Sequence, residues 1–422
     1  MITFNFYYDF YFWLVFAVVV AGFRLLNFNA AVRSIFLCAG SVLMILALPR
    51  FDLFSLGVLL GLCLFSFLVG YLLTREGALE RRDLRIFVSG ASIVLLVGTL
   101  AIFKYHVMQS FFFKNLVGMK AGAPEIIFII GISYSSFKMI HFVVESYKRQ
   151  IKQLSLLNFL TYIFFFPSFI SGPINRYNQF SEQMAVIGEN KILDNTRSGV
   201  ERVIHGLFKK FVLATIVSSY ALANKQASIM QLSGYEVIVG MYAFALYVYF
   251  DFAGYSDIAL GAARIMGIEL PENFNAPFFR KNIQELWANW HMSLTRWLTD
   301  YVYWPMAKFL RRNASLSKRP VLLSNISIIS TFIVCGMWHG ESLNFVVWGL
   351  YHGIGLSVLN IYQKQKRKIR NKFVRQYFLS KYSRWVGIIL TFNFFVMGIL
   401  IFLLDLTTLK ELLTRVLVWG NA

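Results

Sequence analysis

Long apolar runs punctuated by basic loops dominate the chain. Runs of about 15–20 apolar residues begin near Tyr11, Ser34 and Phe54, and a fourth covers residues 86–103; each is long enough for a helix crossing a bilayer core. Arg24 and Arg33 bracket the first connection, and residues 74–85 carry Arg75, Arg81, Arg82 and Arg85. Lys148, Arg149 and Lys152 mark a later turn, and residues 363–384 hold Lys364, Lys366, Arg367, Lys368, Arg370 and Lys372. Basic clusters of this kind face anionic lipid on the cytoplasmic side.

Other stretches break the spanning pattern. Residues 104–124 are mixed. A helix is expected over residues 125–145, with small and hydroxyl residues at 131–137, among them Tyr134, that suit close packing or a polar lining. The run 154–170 ends in Phe-Pro-Ser-Phe-Ile-Ser-Gly-Pro-Ile-Asn-Arg, which contains Ser171. Its two prolines and glycine cannot continue a helix. Non-helical backbone at membrane depth survives only inside protein or beside a water-filled cavity, so a re-entrant turn near a tunnel is expected, with a surface loop as the alternative. Residues 178–195 read as an interfacial loop, and an amphipathic helix begins at Gly199. In the segment 235–268, Asp251 and Asp257 are acids in a helical pattern. Buried acids are usually paired; Arg264 is the expected partner of Asp257, and a substrate contact is the other reading. Residues 271–278 form a turn-rich connector. Residues 283–312 interleave four tryptophans with His291, Arg296 and Asp300, fitting helices lying partly in the interface. A last spanning helix covers 385–404.

Composition agrees with the pattern. Hydrophobic residues make up 57% and charged residues 15% of 422 residues, against about 45–50% and about 25% in soluble domains. The chain reads as one polytopic, all-helical membrane domain. The net charge of +20 belongs to loops, and no nucleic-acid partner is implied. Cys38, Cys63 and Cys335 have no paired spacing, so neither a disulfide framework nor a metal site follows.

The chemistry concentrates in two short signatures, Trp-Ala-Asn-Trp-His-Met-Ser-Leu from Trp287 and Gly-Met-Trp-His-Gly from Gly336, with an apolar run over 326–335 before the second. An ionisable residue in membrane sequence is functional by default. His339 reads as a catalytic base, shielded by Trp338, with His291 as its partner in a tunnel. The blander reading is a histidine fixing two helices. No nucleophile elbow, phosphate loop or metal spacing accompanies the pair. A lone buried histidine suits direct attack of an acceptor hydroxyl on an activated acyl ester. The rival of another class is a non-catalytic transporter or scaffold for a lipid-linked envelope precursor.

Further motifs carry a resemblance: Gly-Ile-Ser-Tyr at Gly131, Ser-Gly-Pro-Ile at Ser171, Asp-Phe-Ala-Gly-Tyr-Ser at Asp251, Pro-Glu-Asn-Phe at Pro271, Trp-His-Met-Ser-Leu at Trp290, Trp-His-Gly at Trp338 and Tyr-His-Gly at Tyr351. In order and spacing, over about 125–360, the chain resembles the membrane-bound O-acyltransferase (MBOAT) superfamily, within it the bacterial branch of teichoic acid D-alanyltransferases and alginate O-acetyltransferases. The resemblance implies a ring of about 11 transmembrane helices, with re-entrant and interfacial helices around a central tunnel, in the bacterial cytoplasmic membrane. It implies no tightly bound cofactor. The acyl donor would be a thioester on the cytoplasmic side, on a phosphopantetheine carrier protein or acetyl-CoA. The acceptor would be a hydroxyl of an envelope polymer or an extracytoplasmic relay protein. The family's two functional histidines fall on His339 and His291, and Asp300, Tyr303 and Asn344 match positions near the tunnel. Carrier docking would fall on Trp304, Met306, Phe309, Leu310 and Arg311.

Overall fold

The structure, a computed structural model, describes residues 10–25, 30–48, 51–75, 81–115, 127–186 and 192–419. Residues 26–29 of the first connection, 76–80 of the basic loop and 116–124 of the mixed stretch lie outside the described residues. All regular structure among the described residues is helical. The chain divides into two compact units, Met1–His205 with Ser256–Pro271, and Gly206–Tyr255 with Glu272–Ala422.

The first unit contains α1 (Phe10–Leu25), α2 (Ala30–Leu46), α3 (Leu53–Thr74), α4 (Arg82–Lys104), α5 (His106–Asn115), α6 (Ile132–Tyr147), α7 (Leu156–Phe164), α8 (Phe166–Phe169), α9 (Tyr177–Ala185) and most of α10 (Ile192–Leu207). The second holds α11 (Ala214–Ser218), most of α12 (Gly234–Ile265), α13 (Ile283–Trp287), α14 (Met292–Leu298), α15 (Trp304–Leu310), α16 (Ala314–Ser317), α17 (Pro320–His339), α18 (Leu343–Arg367), α19 (Lys372–Leu379), α20 (Lys381–Leu403) and α21 (Leu406–Trp419). Helices α3, α4, α12, α17, α18 and α20 are long and apolar enough to cross a membrane, and α1 and α2 hold shorter apolar stretches. Large apolar side chains on α4, such as Phe87 and Val94, stay exposed along the span, as a face toward lipid tails demands. The protein is a multi-pass membrane protein.

The expected break after residue 165 is present, and it is buried. Helix α7 starts on the Ser155 cap and stops at Phe165, whose φ and ψ of −53° and 103° leave the helical region. The amide of Phe166, which a continuing helix would aim at Tyr162 O, donates instead to Ser41 Oγ at 3.4 Å. Pro167 has no amide to offer. Tyr162 O is taken by the fully buried Lys138 Nζ at 3.0 Å, which also donates to Ser168 Oγ at 2.8 Å. Gly172, Pro173, Ile174 and Asn175 are buried in protein, so the surface-loop alternative does not hold. Gly131, with φ of +83°, opens α6 where a Cβ would meet the Phe169 ring at 2.5 Å; the Gly-Ile-Ser-Tyr motif is a helix start that only glycine fits.

Several expectations are corrected. Helix α6 begins at Ile132, not near 125. Residues 178–195 are not one loop: α9 buries Tyr177, Phe180, Ser181 and Met184 on one stripe, and α10 starts at Ile192. Arg85 is not a loop residue but sits on α4, buried, donating to Tyr147 O at 2.7 Å at the end of α6. Such a cation satisfies terminal helix carbonyls and their dipole. Asp257 pairs with Arg202 at 2.9 Å rather than with Arg264, since residues seven apart on one helix are about 10 Å apart along its axis. In the second unit, Asp251 is bonded by Lys210, carried on a π-helical turn over Phe208–Leu213.

Candidate active site

The first histidine signature is held by its backbone. His291 has φ of 42°, in the left-handed region, between α13 and α14. A non-glycine residue stays there only when its surroundings dictate it, and the connector before α13 does so. Met292 N donates to Asn273 O at 2.9 Å, and Ser293 Oγ donates to Asn273 Oδ1 at 2.6 Å, with Ser293 N at 3.3 Å on the same oxygen. Asn275 N donates to Asn289 O at 3.1 Å. Trp290 drops into a ring cluster with Phe274 at 5.1 Å, Phe278 at 5.9 Å and Phe395 at 4.8 Å. The Pro-Glu-Asn-Phe motif, a turn-rich connector that also carries the resemblance, is thus the clamp of the first signature. The His291 ring is buried and lies 4.8 Å from Phe252. Burial pushes its imidazole down to about 3, so the ring is neutral, offering one donor and one acceptor.

Asn273 is fully buried. Asn273→Ala is expected to leave the hydroxyl and amide of Ser293 short of their acceptor, at about 1–3 kcal/mol, and to free the turn at His291. Thermal unfolding of the purified variant checks this; an unchanged midpoint would show that the clamp holds nothing.

The second signature is held by a helix pair. His339 is the last residue of α17, and α18 begins four residues later, at Leu343. Along this hairpin the backbones touch. A Cβ on Gly336 would meet Phe345 O at 2.2 Å, and one on Gly349 would meet Phe332 O at 2.3 Å. Small residues at such a crossing let membrane helices pack closely. The hairpin sets the His339 ring, partly exposed, 4.7 Å from Trp338, 5.2 Å from Trp348 and 5.0 Å from Phe402. Asn344, buried, donates its amide to Ile401 O at 3.3 Å and Phe402 O at 3.0 Å. It therefore ties the start of α18 to the end of α20, whose Phe402 walls His339.

Ring contacts join the two signatures. Trp287 of the first lies 5.7 Å from Trp348, the indole that touches His339. Tyr303 and Asp300 sit on a π-helical turn, Thr299–Tyr303; Tyr303 Oη lies 3.1 Å from Ser324 Oγ on α17, and Asp300 is exposed. Trp304 and Phe309 on α15 are exposed, at 54% and 64%, beside exposed Lys308, Arg311 and Arg312, with Met306 and Leu310 half-buried. Tyr134 and Ser171 belong to the first unit, where Tyr134 is buried against Phe137. There His141 is structural: its Nε2 accepts from Tyr177 N at 3.1 Å, and Arg176 lies 3.2 Å from its Nδ1.

His339, at the end of α17, lies in an aromatic pocket whose Trp348 is in ring contact with Trp287 of the first signature. Residues 51–401 match MBOAT, the membrane-bound O-acyltransferase family. The teichoic acid D-alanyltransferase of Streptococcus thermophilus is 33% identical over 290 residues, 67% of this chain and 69% of that protein. The teichoic acid D-alanyltransferase of Bacillus subtilis is 33% identical over 288 residues, 66% of this chain and 69% of that protein. The probable alginate O-acetylase AlgI of Pseudomonas aeruginosa is 27% identical over 308 residues, 71% of this chain and 56% of that protein. The chain belongs to the membrane-bound O-acyltransferase family and is an acyltransferase.

Proposed function

We propose that the protein moves a D-alanyl group from a thioester on the cytoplasmic side of a bacterial cytoplasmic membrane to a hydroxyl of a cell-envelope polymer or relay protein. His339 is the base. It takes the hydroxyl proton as the oxygen attacks the thioester carbonyl; the carbon–sulfur bond breaks, and the proton passes from His339 to the departing thiolate. The observation that carries the reading is the His339 ring, partly exposed and in edge contact with Trp338, Trp348 and Phe402. Its place at the end of α17 supports it, because terminal carbonyls favour the positive charge an imidazole gains with a proton. His291, neutral, orients substrate by its ring N–H. The exposed Trp304 and Phe309, next to Lys308, Arg311 and Arg312, suit an acidic carrier protein with an apolar contact patch. Identity of 33% to D-alanyltransferases against 27% to the acetylase supports D-alanyl over acetyl.

The test uses the purified full chain in lipid nanodiscs, offered D-alanyl and acetyl thioesters of a carrier protein, and acetyl-CoA, with a polyol-phosphate acceptor. Thiol release with ester formation from the D-alanyl carrier is expected. Consumption of the acetyl donors alone moves the reading to exopolysaccharide acetylation. No consumption of any thioester leaves a transporter or scaffold.

A further inference from the structure

One buried histidine is used by nothing above. His352 lies one helical turn after Trp348 on α18 and is 1% exposed. Its ring centroid is 4.9 Å from Trp348 and 5.0 Å from Trp287, at interplanar angles of 65° and 86°. Tyr351, Phe394 and Phe332 close the cage at 5.2, 5.4 and 6.1 Å. Among the described residues, neither nitrogen of His352 has a hydrogen-bond partner, and neither do the indole nitrogens of Trp287 and Trp348.

Four orphaned polar atoms in three touching rings are costly. A buried polar group without a partner loses about 1–3 kcal/mol, and an apolar side chain at 352 would avoid that loss. Such an exception calls for an explanation. The donor inventory supplies one. An indole N–H only donates, whereas a neutral imidazole carries one accepting nitrogen. The acceptor that Trp348 lacks therefore sits on the neighbouring ring, four residues along the same helix, where side chains face each other. The two ring centroids already lie 4.9 Å apart. Trp348 is also the indole on which His339 rests.

We propose that His352 is a positioning residue for acyl transfer: in the reacting state a ring nitrogen of His352 accepts the Trp348 indole N–H, fixing the wall against which His339 is aimed. This rests on reading His339 as the base. His352 touches neither donor nor acceptor; it acts through Trp348. Its polar ring at this place serves the reaction rather than the fold.

The experiment is a double-mutant cycle on the full chain in nanodiscs, with His352→Leu, Trp348→Phe and the pair, read as the rate of consumption of the D-alanyl carrier thioester. Each single change is expected to lower kcat at least tenfold with KM for the carrier within twofold. The double variant is expected to be no slower than the slower single one, because both changes break one contact. His352→Gln, which keeps an acceptor, is expected to recover a third or more of the lost rate. The thermal midpoint of His352→Leu is expected to hold or rise. Wild-type kcat in His352→Leu, losses that multiply in the double variant, or a Gln variant as slow as Leu each overturn the proposal. His339→Ala runs alongside: transfer surviving in it sinks the assignment of the base, whereas an inactive His339→Ala with a fully active His352→Leu sinks only the role of His352.

Discussion

Replacing His339 by Ala is expected to stop acyl transfer while leaving the protein folded. A positioned general base contributes roughly 10²–10⁴-fold, so kcat should fall by at least about 100-fold. The ring is partly exposed and contacts its neighbours edge-on, so its removal opens no sealed hole in the core. The thermal midpoint should therefore stay close to wild type. Initial rates of thioester consumption and thermal unfolding of the same preparation check both halves. A variant that keeps a tenth of the wild-type rate would remove His339 from the chemistry.

Gly349→Val is expected to damage the protein most through its fold. The added Cβ would lie 2.3 Å from the carbonyl oxygen of Phe332 and 2.9 Å from its carbon. These are backbone atoms of α17, so no side chain can swing aside. Overpacking a tight site costs about 1–3 kcal/mol, and here relief requires α17 and α18 to part, carrying His339 away from Trp348. A lowered thermal midpoint and lost transfer should appear together. Gly57 on α3, with nothing within 4 Å of its added Cβ, is the control: Gly57→Val should leave both nearly unchanged. Equal midpoints for the two variants would dismiss the close approach.

Much of this was legible in the sequence because the membrane imposes strong patterns. The spans α3, α4, α17 and α20 follow their apolar runs, and the Pro-Ser-Phe-Ile-Ser-Gly-Pro run marks a break because proline and glycine act locally. An imidazole in apolar sequence is rare, which is why His339 and His291 carry the catalytic proposal. What stayed hidden depends on partners far along the chain. Nothing near Asp257 announces Arg202, and the ladder of α12 made Arg264 the nearer guess. Asn273 read as loop because its work is to accept from Ser293, twenty residues on. Arg85 read as a loop cation because the carbonyl it serves belongs to Tyr147. Helix α9 was missed because its polar surface masked a four-residue buried stripe. His352 was visible in the Tyr-His-Gly motif, but its orphaned nitrogens appear only when Trp287 and Trp348 close around it.

The interruption at Phe165 bears on biogenesis. A segment whose Tyr162 carbonyl depends on Lys138 and whose Phe166 amide is diverted to Ser41 cannot rest in hydrocarbon alone. Its two rescuers, Ser41 and Lys138, both precede it in the chain. Synthesis from the N-terminus therefore delivers α2 and α6 before α7 emerges from the ribosome. The broken helix can enter the membrane only onto a surface already waiting, which fixes an order of insertion for this part of the protein.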